Sequence, residues 1–171
     1  MSPNILNYYF PQSRRLPRPL PFIFGVITFL IIILWVVIAN AEEPDWNEIV
    51  PIIIQIESSG NPNAISEDNC RGLMQISEMV LKEYNQNYIR NYGNIPNEKF
   101  YYDLEDLFDP YINKRIGTWY LKRIWNHYLQ GIGTIDDLLI CYNFGYGNWL
   151  KYKQGKIKLP KETRNYLKHY K

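Results

Sequence analysis

The residue of this sequence best suited to proton transfer is Glu57, which follows a run of isoleucines. Ile53, Ile54 and Ile56 lie within the preceding turn of a predicted helix. A carboxyl group among apolar side chains loses hydration of its charged form, and its pKa rises. Such a group holds a proton near neutral pH and acts as a general acid, as in glycosidases. The alternative is a structural glutamate that is exposed at the helix end.

Helix start and stop signals place Glu57 on the last turn of its helix. Apolar residues recur before it at helical spacing. The Ser-Ser-Gly-Asn-Pro sequence over residues 58–62 then ends the helix, because glycine adopts the left-handed conformation and proline blocks continuation. The same helix begins at Asp45 or close to Pro51.

The chain after residue 42 predicts a mainly α-helical domain. Residues 61–77 lack a helical period and predict loops, with a small β-hairpin near residues 70–77. The polar stretch over residues 82–106 predicts at most a partial helix. Further helices are predicted to begin at Asp109-Pro110, at Thr134 and at Pro160.

An apolar segment precedes this domain. No side chain between Leu20 and Ala39 is charged, and a helix of this length would be about 30 Å long, enough to cross a bilayer core. Arginines precede the segment and acidic residues follow it, which keeps the N-terminus in the cytoplasm and exports the domain. It is either a retained signal anchor or a signal peptide cleaved at the Ala-Asn-Ala sequence that ends it. We therefore divide the chain into a cytoplasmic tail (1–19), a signal anchor or signal peptide (20–41) and an exported domain (42–171).

Charge is unevenly distributed along the chain. Residues 42–150 carry eight basic and sixteen acidic residues, whereas residues 151–171 carry eight basic residues and one acidic residue, Glu162. A basic tail of this kind is either a solvated helix face or a surface for an acidic partner or an anionic wall polymer. No helix-turn-helix, zinc-finger or RNP-type pattern accompanies it, so nucleic acid is not an expected partner.

Cys70 and Cys141 are the only cysteines of the chain. In an oxidising compartment their even number permits a disulfide between them. Neither has the Cys/His spacing of a zinc site, and we expect no metal and no cofactor.

Five segments of the sequence, in order, resemble the lytic transglycosylase family with the goose-type-lysozyme-like catalytic domain. Together they extend over about residues 48–170, nearly the whole exported domain. One such segment would be a weak signal, whereas five in the right order are a strong one. The segments are Glu57–Ser66, Gly72–Ile76, Asp109-Pro110 with Asn113, Gly117, Tyr120 and Leu121, Cys141-Tyr142-Asn143 with Gly145, and Glu162-Thr163-Arg164 with Tyr166.

The resemblance implies an α+β lysozyme-like fold and cleavage of the β-1,4 bond between N-acetylmuramic acid and N-acetylglucosamine in peptidoglycan. Glu57 would be the single acid–base residue, which protonates the glycosidic oxygen and then takes the proton of the muramyl 6-hydroxyl. That hydroxyl would attack C1, giving a 1,6-anhydro product without consuming water. The N-acetyl group of the substrate would stabilise the cationic intermediate, as in other substrate-assisted glycosidases.

The resemblance also implies substrate contacts on the loop after Glu57. Ser58 and Gln75 would hydrogen-bond the substrate or orient Glu57. Met74 would pack against a sugar, although a core-filling role is an open alternative for a methionine.

Three further contacts are implied for the C-terminal half of the chain. Tyr142 would lie close to Glu57 and help to position its carboxyl group. Asn143 would hold nearby backbone or sugar, and Glu162 would contact the substrate.

Two other functions remain compatible with the sequence. One is a hydrolytic muramidase on the same fold, and the other is an inactive wall-binding or assembly component. By analogy, the small size is typical of transglycosylases that open the wall locally for secretion or conjugation machinery. The expected partners are peptidoglycan glycan strands and, if the apolar helix is retained, the membrane. The domain is expected at the inner membrane facing the periplasm, or secreted to the periplasm.

Overall fold

A computed structural model describes residues 25–33, 43–92, 101–130 and 133–170. Contacts divide the chain into two units, residues 1–40 and residues 41–171. In the first unit, residues 25–33 are helical and their large apolar side chains are exposed.

The predicted membrane or signal segment falls mostly outside the described residues. The cytoplasmic tail (1–19) lies wholly outside them, and the apolar segment (20–41) is described only over residues 25–33. Across the ranges that are described, no helix has both the length and the hydropathy needed to cross a bilayer. The signal anchor and the signal peptide stay predictions.

The second unit is built from helices, which confirms the mainly α-helical fold class. Six α-helices are present in its described residues, together with one 3₁₀ turn and one π-helical turn. They are α1 (Trp46–Ser58), α2 (Glu78–Tyr92), the 3₁₀ turn (Glu105–Phe108), α3 (Pro110–Arg123), the π-helical turn (Ile124–Tyr128), α4 (Ile135–Phe144), α5 (Tyr146–Lys153) and α6 (Lys161–Tyr170).

Side-chain caps set the starts of three helices. Of the two predicted starts of α1 the structure has Asp45, whose carboxylate accepts a hydrogen bond from the N–H of Asn47 at 2.9 Å. Asp109 caps α3 in the same way. Thr134 and Asp137 form a reciprocal capping box at the start of α4.

The described part of the stretch 82–106 is partly helical, in agreement with the prediction, because α2 extends from Glu78 to Tyr92. Val80, Leu81 and Tyr84 of this helix are buried in the core. The ring of Tyr84 also makes an edge-to-face contact with Trp119, with centroids 5.1 Å apart. Tertiary packing thus stabilises a helix that its local sequence favours only weakly.

Residues 61–77 form the predicted irregular loop, held by backbone hydrogen bonds. The hairpin expected near residues 70–77 is present only as isolated antiparallel bridges, which pair Arg71 with Ile65 and with Ile76. Gly72 to Gln75 make the tight turn between Arg71 and Ile76.

The core brings the two ends of the domain together. Leu138 and Leu139 of α4 are fully buried, as is Ile53 of α1. Helix α6 packs against both α1 and α4. This packing sets the C-terminal end of α1, which carries Glu57, beside the last helix of the chain.

Candidate active site

Glu57 lies on the last turn of α1, where that helix faces α6. The hydroxyl of Tyr166 donates a hydrogen bond of 2.8 Å to Oε1 of Glu57. Tyr166 is buried and Glu57 is half-buried. The carboxyl group is therefore held against the domain rather than exposed at the helix end.

The surroundings of Glu57 favour its protonated form. Burial raises the pKa of Glu57 from 4.5 to about 7. The hydrogen bond from Tyr166 opposes this rise in pKa because it stabilises the carboxylate, whereas the nearby charge of Glu162 adds to it. Burial and the charge of Glu57 hold the pKa of Tyr166 far above its usual range, so the tyrosine hydroxyl remains a donor. Near neutral pH, a large fraction of Glu57 carries a proton.

Glu57 lines a pocket of about 370 Å³ together with four other predicted site residues. These are Gln75, Tyr142, Asn143 and Glu162. The lining combines these polar groups with the apolar side chains of Ile76, Val80 and Phe144. Such a combination of apolar wall and convergent polar groups is typical of a ligand site.

A buried asparagine fixes the loop that forms one wall of this pocket. Oδ1 of Asn113 accepts a hydrogen bond from the N–H of Met74 at 2.8 Å, and its Nδ2 donates to the carbonyl oxygens of Arg71 and Leu107, also at 2.8 Å. Gly72 lies directly against this amide with a φ of 75°. A Cβ atom there would collide with the side chain of Asn113, so only glycine permits the contact.

Met74 lies in the core and not in the pocket. Its side chain is fully buried, and it packs where Gly117 of α3 has no side chain. A Cβ on Gly117 would collide with the sulfur of Met74. In this structure Met74 fills the core, which is the alternative to the sugar contact implied for it.

Tyr142 faces the pocket but is not the hydrogen-bond donor to Glu57. Its hydroxyl donates to the carbonyl oxygen of Met74 at 2.7 Å. Burial, and then the charge of Glu57, raise the pKa of Tyr142 well above its usual value, so the two groups are electrostatic neighbours. Tyr142 therefore supports the loop, while Tyr166 holds the carboxyl group.

Ser58 and Gln75 also bind the backbone of the loop. The hydroxyl of Ser58 donates to the carbonyl oxygen of Leu73 at 2.8 Å, and Ser58 is not among the described residues that line the pocket. Nε2 of Gln75 donates to the carbonyl oxygens of Ala64 and Gly72. Both side chains thus stabilise the loop in this structure, and Gln75 also lines the pocket.

Asn143 and Glu162 line the pocket from two different helices, α4 and α6. Oδ1 of Asn143 accepts a hydrogen bond from the hydroxyl of Thr163 at 2.8 Å, which ties α4 to α6. Glu162 is exposed at the first turn of α6, on the side that faces Glu57. Its carboxylate is available to a ligand in the pocket.

The two cysteines are free thiols, so the disulfide permitted by the sequence is not formed in this structure. Cys141 is buried in the core, whereas Cys70 lines the pocket of Glu57. Within the described residues, no group of three or more His, Cys, Asp or Glu side chains is arranged to hold a metal ion.

Tyr166 is the main site residue that the sequence prediction left out of its set. The signal for it was the spacing of Glu162 and Tyr166, which puts both side chains on one face of a helix. Met79 and Tyr120 also line the pocket. No motif singles out Met79, and its place in the pocket follows from the position of α2.

Comparison with known proteins agrees with this geometry. The model of the transglycosylase SLT domain family matches residues 35–165. Membrane-bound lytic murein transglycosylase E of Buchnera aphidicola subsp. Baizongia pistaciae is 32% identical over 140 residues, which are 80% of this chain and 60% of that protein. Membrane-bound lytic murein transglycosylase C of Salmonella arizonae is 36% identical over 105 residues, which are 58% of this chain and 27% of that protein.

The family model and the two relatives differ in how much of each protein they cover. The chain spans 60% of the length of the first of these relatives and 27% of the second. The family model, by contrast, covers most of the chain, including Glu57 and every other residue predicted for the site. The chain belongs to the transglycosylase SLT domain family.

Proposed function

We propose that this protein is a peptidoglycan lytic transglycosylase with Glu57 as its acid–base residue. The observation that carries the proposal is the placement of this half-buried carboxyl group, which lines a pocket and is held by the Tyr166 hydroxyl, and burial there raises its pKa to about 7. A general acid works best when its pKa lies near the working pH. The names of the relatives support murein as the substrate.

The reaction needs one group that both gives and takes a proton. Glu57 donates its proton to the oxygen of the β-1,4 bond between N-acetylmuramic acid and N-acetylglucosamine, and the bond from C1 to that oxygen breaks. The N-acetyl oxygen of the muramyl residue stabilises the positive charge at C1. The muramyl 6-hydroxyl then attacks C1 and gives its proton to the Glu57 carboxylate. Glu57 ends protonated, and the product is a 1,6-anhydro sugar.

The pocket supplies the groups that such a reaction needs around the acid. Tyr166 fixes the orientation of the Glu57 carboxyl group through its 2.8 Å hydrogen bond. Glu162 favours the proton-bearing form through its charge. Asn143 and Gln75 face the same space with amide groups that suit the hydroxyl and N-acetyl groups of a sugar.

A hydrolytic muramidase is the second candidate, because other carboxylates line the pocket. Asp68 and Glu162 both face it, and either could activate a water molecule or stabilise the cation. The two reactions give products that differ in mass by one water. We favour the transglycosylase because the relatives carry that name.

We also propose that the domain works outside the cytoplasm, at the membrane or free in the periplasm. The apolar segment over residues 20–39 and its charged flanks support this location. We further propose, by analogy alone, that it opens the wall locally for secretion or conjugation machinery.

Digestion of purified peptidoglycan tests the proposed reaction. The full chain should release muropeptides that end in a 1,6-anhydro sugar, as identified by mass spectrometry. The Glu57→Gln variant should lose at least about a thousandfold in rate, since it can neither give nor take the proton. Glu67→Gln, which removes an exposed carboxylate close by, is the matched control and should keep full activity. Reducing ends in place of anhydro ends would favour the muramidase, and full activity of Glu57→Gln would refute both reactions.

A further inference from the structure

A separate pocket of about 560 Å³ is formed by side chains of α2 and α3. Its volume falls in the range of about 300–1,000 Å³ that ligand sites occupy. None of its lining residues lines the pocket of Glu57. The lining side chains recur at helical spacing along one face of each helix, and they are Tyr84, Asn87, Tyr88 and Asn91 of α2 with Arg115 and Trp119 of α3.

The aromatic rings of this pocket hold one another in place. Tyr84 is buried, and its ring meets that of Trp119 edge to face at a centroid distance of 5.1 Å. Tyr88 stacks on Tyr84 at 6.2 Å. Because Tyr88 and Trp119 are only half-buried, they present apolar surface to the pocket. Fixed tyrosine and tryptophan rings beside an arginine are the combination that is enriched in the hot spots of protein–protein interfaces.

Arg115 supplies the positive charge of the pocket. Its guanidinium carbon lies 5.6 Å from the centroid of the Tyr88 ring, and its Nη1 donates a long hydrogen bond of 3.5 Å to the hydroxyl of Tyr102. Within the described ranges no carboxylate pairs with Arg115, whereas Arg71 and Arg123 each form an ion pair with a glutamate. The exposed guanidinium therefore has N–H groups left for a ligand, and its planar fork suits a carboxylate.

Two asparagines supply amide groups to the same pocket. Nδ2 of Asn91 donates a hydrogen bond of 3.0 Å to Oδ1 of Asn87, one turn earlier on α2. In the part of the chain that the structure describes, Nδ2 of Asn87 and Oδ1 of Asn91 have no other protein partner. This leaves one donor and one acceptor on the pocket wall. A peptide backbone offers the matching pair, a carbonyl oxygen and an N–H group.

The charge of the surrounding domain limits what the pocket can bind. Residues 42–150 carry eight basic and sixteen acidic residues, so a strongly acidic ligand would be repelled. One carboxylate that pairs with Arg115, among neutral or apolar groups that pack on the rings, avoids this repulsion. A short peptide segment with a single acidic residue beside an aromatic one meets each of these requirements.

We propose that this pocket is a docking site for a segment of a partner protein, which places one acidic side chain on Arg115 and a neighbouring apolar side chain against Tyr88 and Trp119. The site is separate from the pocket of Glu57. It therefore recruits the protein to a partner without occupying the groups that cleave the glycan, and the inference does not depend on the proposed function.

Titration with a defined peptide tests the site on the full chain. Two probes, acetyl-Gly-Phe-Glu-Phe-Gly-amide and the same peptide with Gln in place of Glu, would be added to the protein in detergent with its tryptophans labelled with ¹⁵N. The spectrum of Trp119→Phe identifies the indole signal of Trp119. That signal should move with a Kd on the order of 1 mM for the acidic peptide. The signal of Trp149, whose indole N–H donates to Asp137 at 2.8 Å, should stay in place.

A charge exchange on each side of the contact checks its chemistry. Arg115→Gln, or the glutamine peptide with the unmodified protein, should weaken binding roughly five- to twentyfold, because each removes one charge of the pair. Combining both changes should cost little more than either alone. Arg90→Gln is the matched control, since Arg90 is exposed on α2 but does not line the pocket, and should leave the affinity unchanged.

Three results would overturn the docking site. They are a Trp119 signal that does not move at about ten times the expected Kd, equal affinity for the acidic and glutamine peptides, and equal affinity of Arg115→Gln and the parent. Binding of a disaccharide–peptide fragment of peptidoglycan in place of the acidic peptide would assign the pocket to the wall and overturn it as well. Arg115→Gln should cleave peptidoglycan as fast as the parent and unfold at the same temperature, because Arg115 is exposed and away from Glu57.

Discussion

Tyr166 and Glu57 are separated by 109 residues in the sequence, yet the tyrosine hydroxyl lies 2.8 Å from the carboxylate oxygen. This contact and the charge of Glu162 act on the same proton in opposite directions. The hydrogen bond stabilises the carboxylate and lowers the pKa of Glu57, whereas Glu162 raises it. Tyr166 and Glu162 both belong to α6 and lie one turn apart. A single helix therefore both holds the Glu57 carboxyl group and adjusts its pKa.

The pH dependence of glycan cleavage should reflect the proton on Glu57. Because burial raises the pKa of Glu57 to about 7, the proton-bearing form is present below that pH and is lost above it. The value of kcat/KM should therefore fall on the alkaline side with an apparent pKa near 7. Steady-state rates on solubilised glycan strands between pH 5 and pH 9 would measure it. A profile that stays flat up to pH 9 would mean that Glu57 does not act as the acid.

Tyr166→Phe should move the alkaline limb of that profile to higher pH. The substitution removes the donor that stabilises the carboxylate, so the pKa of Glu57 rises. The carboxyl group also loses its fixed orientation, and kcat should fall roughly tenfold, the effect of about 1.4 kcal/mol. Tyr170→Phe, on the same helix and half-buried, is the control and should leave the profile in place. A shift to lower pH would contradict the role assigned to the Tyr166 hydroxyl.

Glu162→Gln should move the alkaline limb of the pH profile to lower pH. The substitution removes a nearby negative charge, and the pKa of Glu57 falls toward the ordinary range of a glutamate. At pH 7 less of the acid then carries its proton, so kcat/KM should decrease while the rate at pH 5 stays closer to the original value. Since Glu162 is exposed, added salt should reduce the difference between the two proteins. Equal apparent pKa values at low salt would show that Glu162 acts only through substrate contact.

Local sequence signals predicted much of the fold. The arrangement of the site residues depends instead on contacts between helices that are distant in the sequence. The caps at Asp109 and Thr134 lie within a few residues of the backbone groups they bind, so the sequence alone locates the helix starts. The donor to Glu57 could not be predicted in this way, because it depends on how α6 packs against α1. The exposure of Met79 and the burial of Met74 likewise depend on α2 and α3.

The stability of the protein should also depend on the proton of Glu57. The folded pKa of about 7 exceeds the ordinary value of 4.5, so the folded state binds more protons between these two pH values. The free energy of unfolding should therefore decrease as pH rises from 4.5 to 7. Glu57→Gln buries a neutral group instead and should be more stable than the parent at pH 8 by about 1–3 kcal/mol. Urea unfolding of both proteins at pH 4.5 and pH 8 would measure this, and a variant less stable at pH 8 would contradict it.

Removal of the Asn113 side chain should destabilise the loop that forms the pocket wall. Asn113→Ala leaves the N–H of Met74 and the carbonyl oxygens of Arg71 and Leu107 without their partner inside the protein. Each lost hydrogen bond of a buried group costs about 1–3 kcal/mol, and water entering the space recovers part of this, so we expect a total loss of roughly 3–5 kcal/mol.

Thermal and urea unfolding would compare Asn113→Ala with Asn126→Ala, which truncates an exposed asparagine and should change stability by less than about 0.5 kcal/mol. Hydrogen exchange separates a loss confined to the loop from a general one, because the N–H of Met74 should exchange faster than those in the centre of α4. If Asn113→Ala unfolds like the control and keeps the N–H of Met74 protected, then other contacts hold the loop and the buried amide is not its main support.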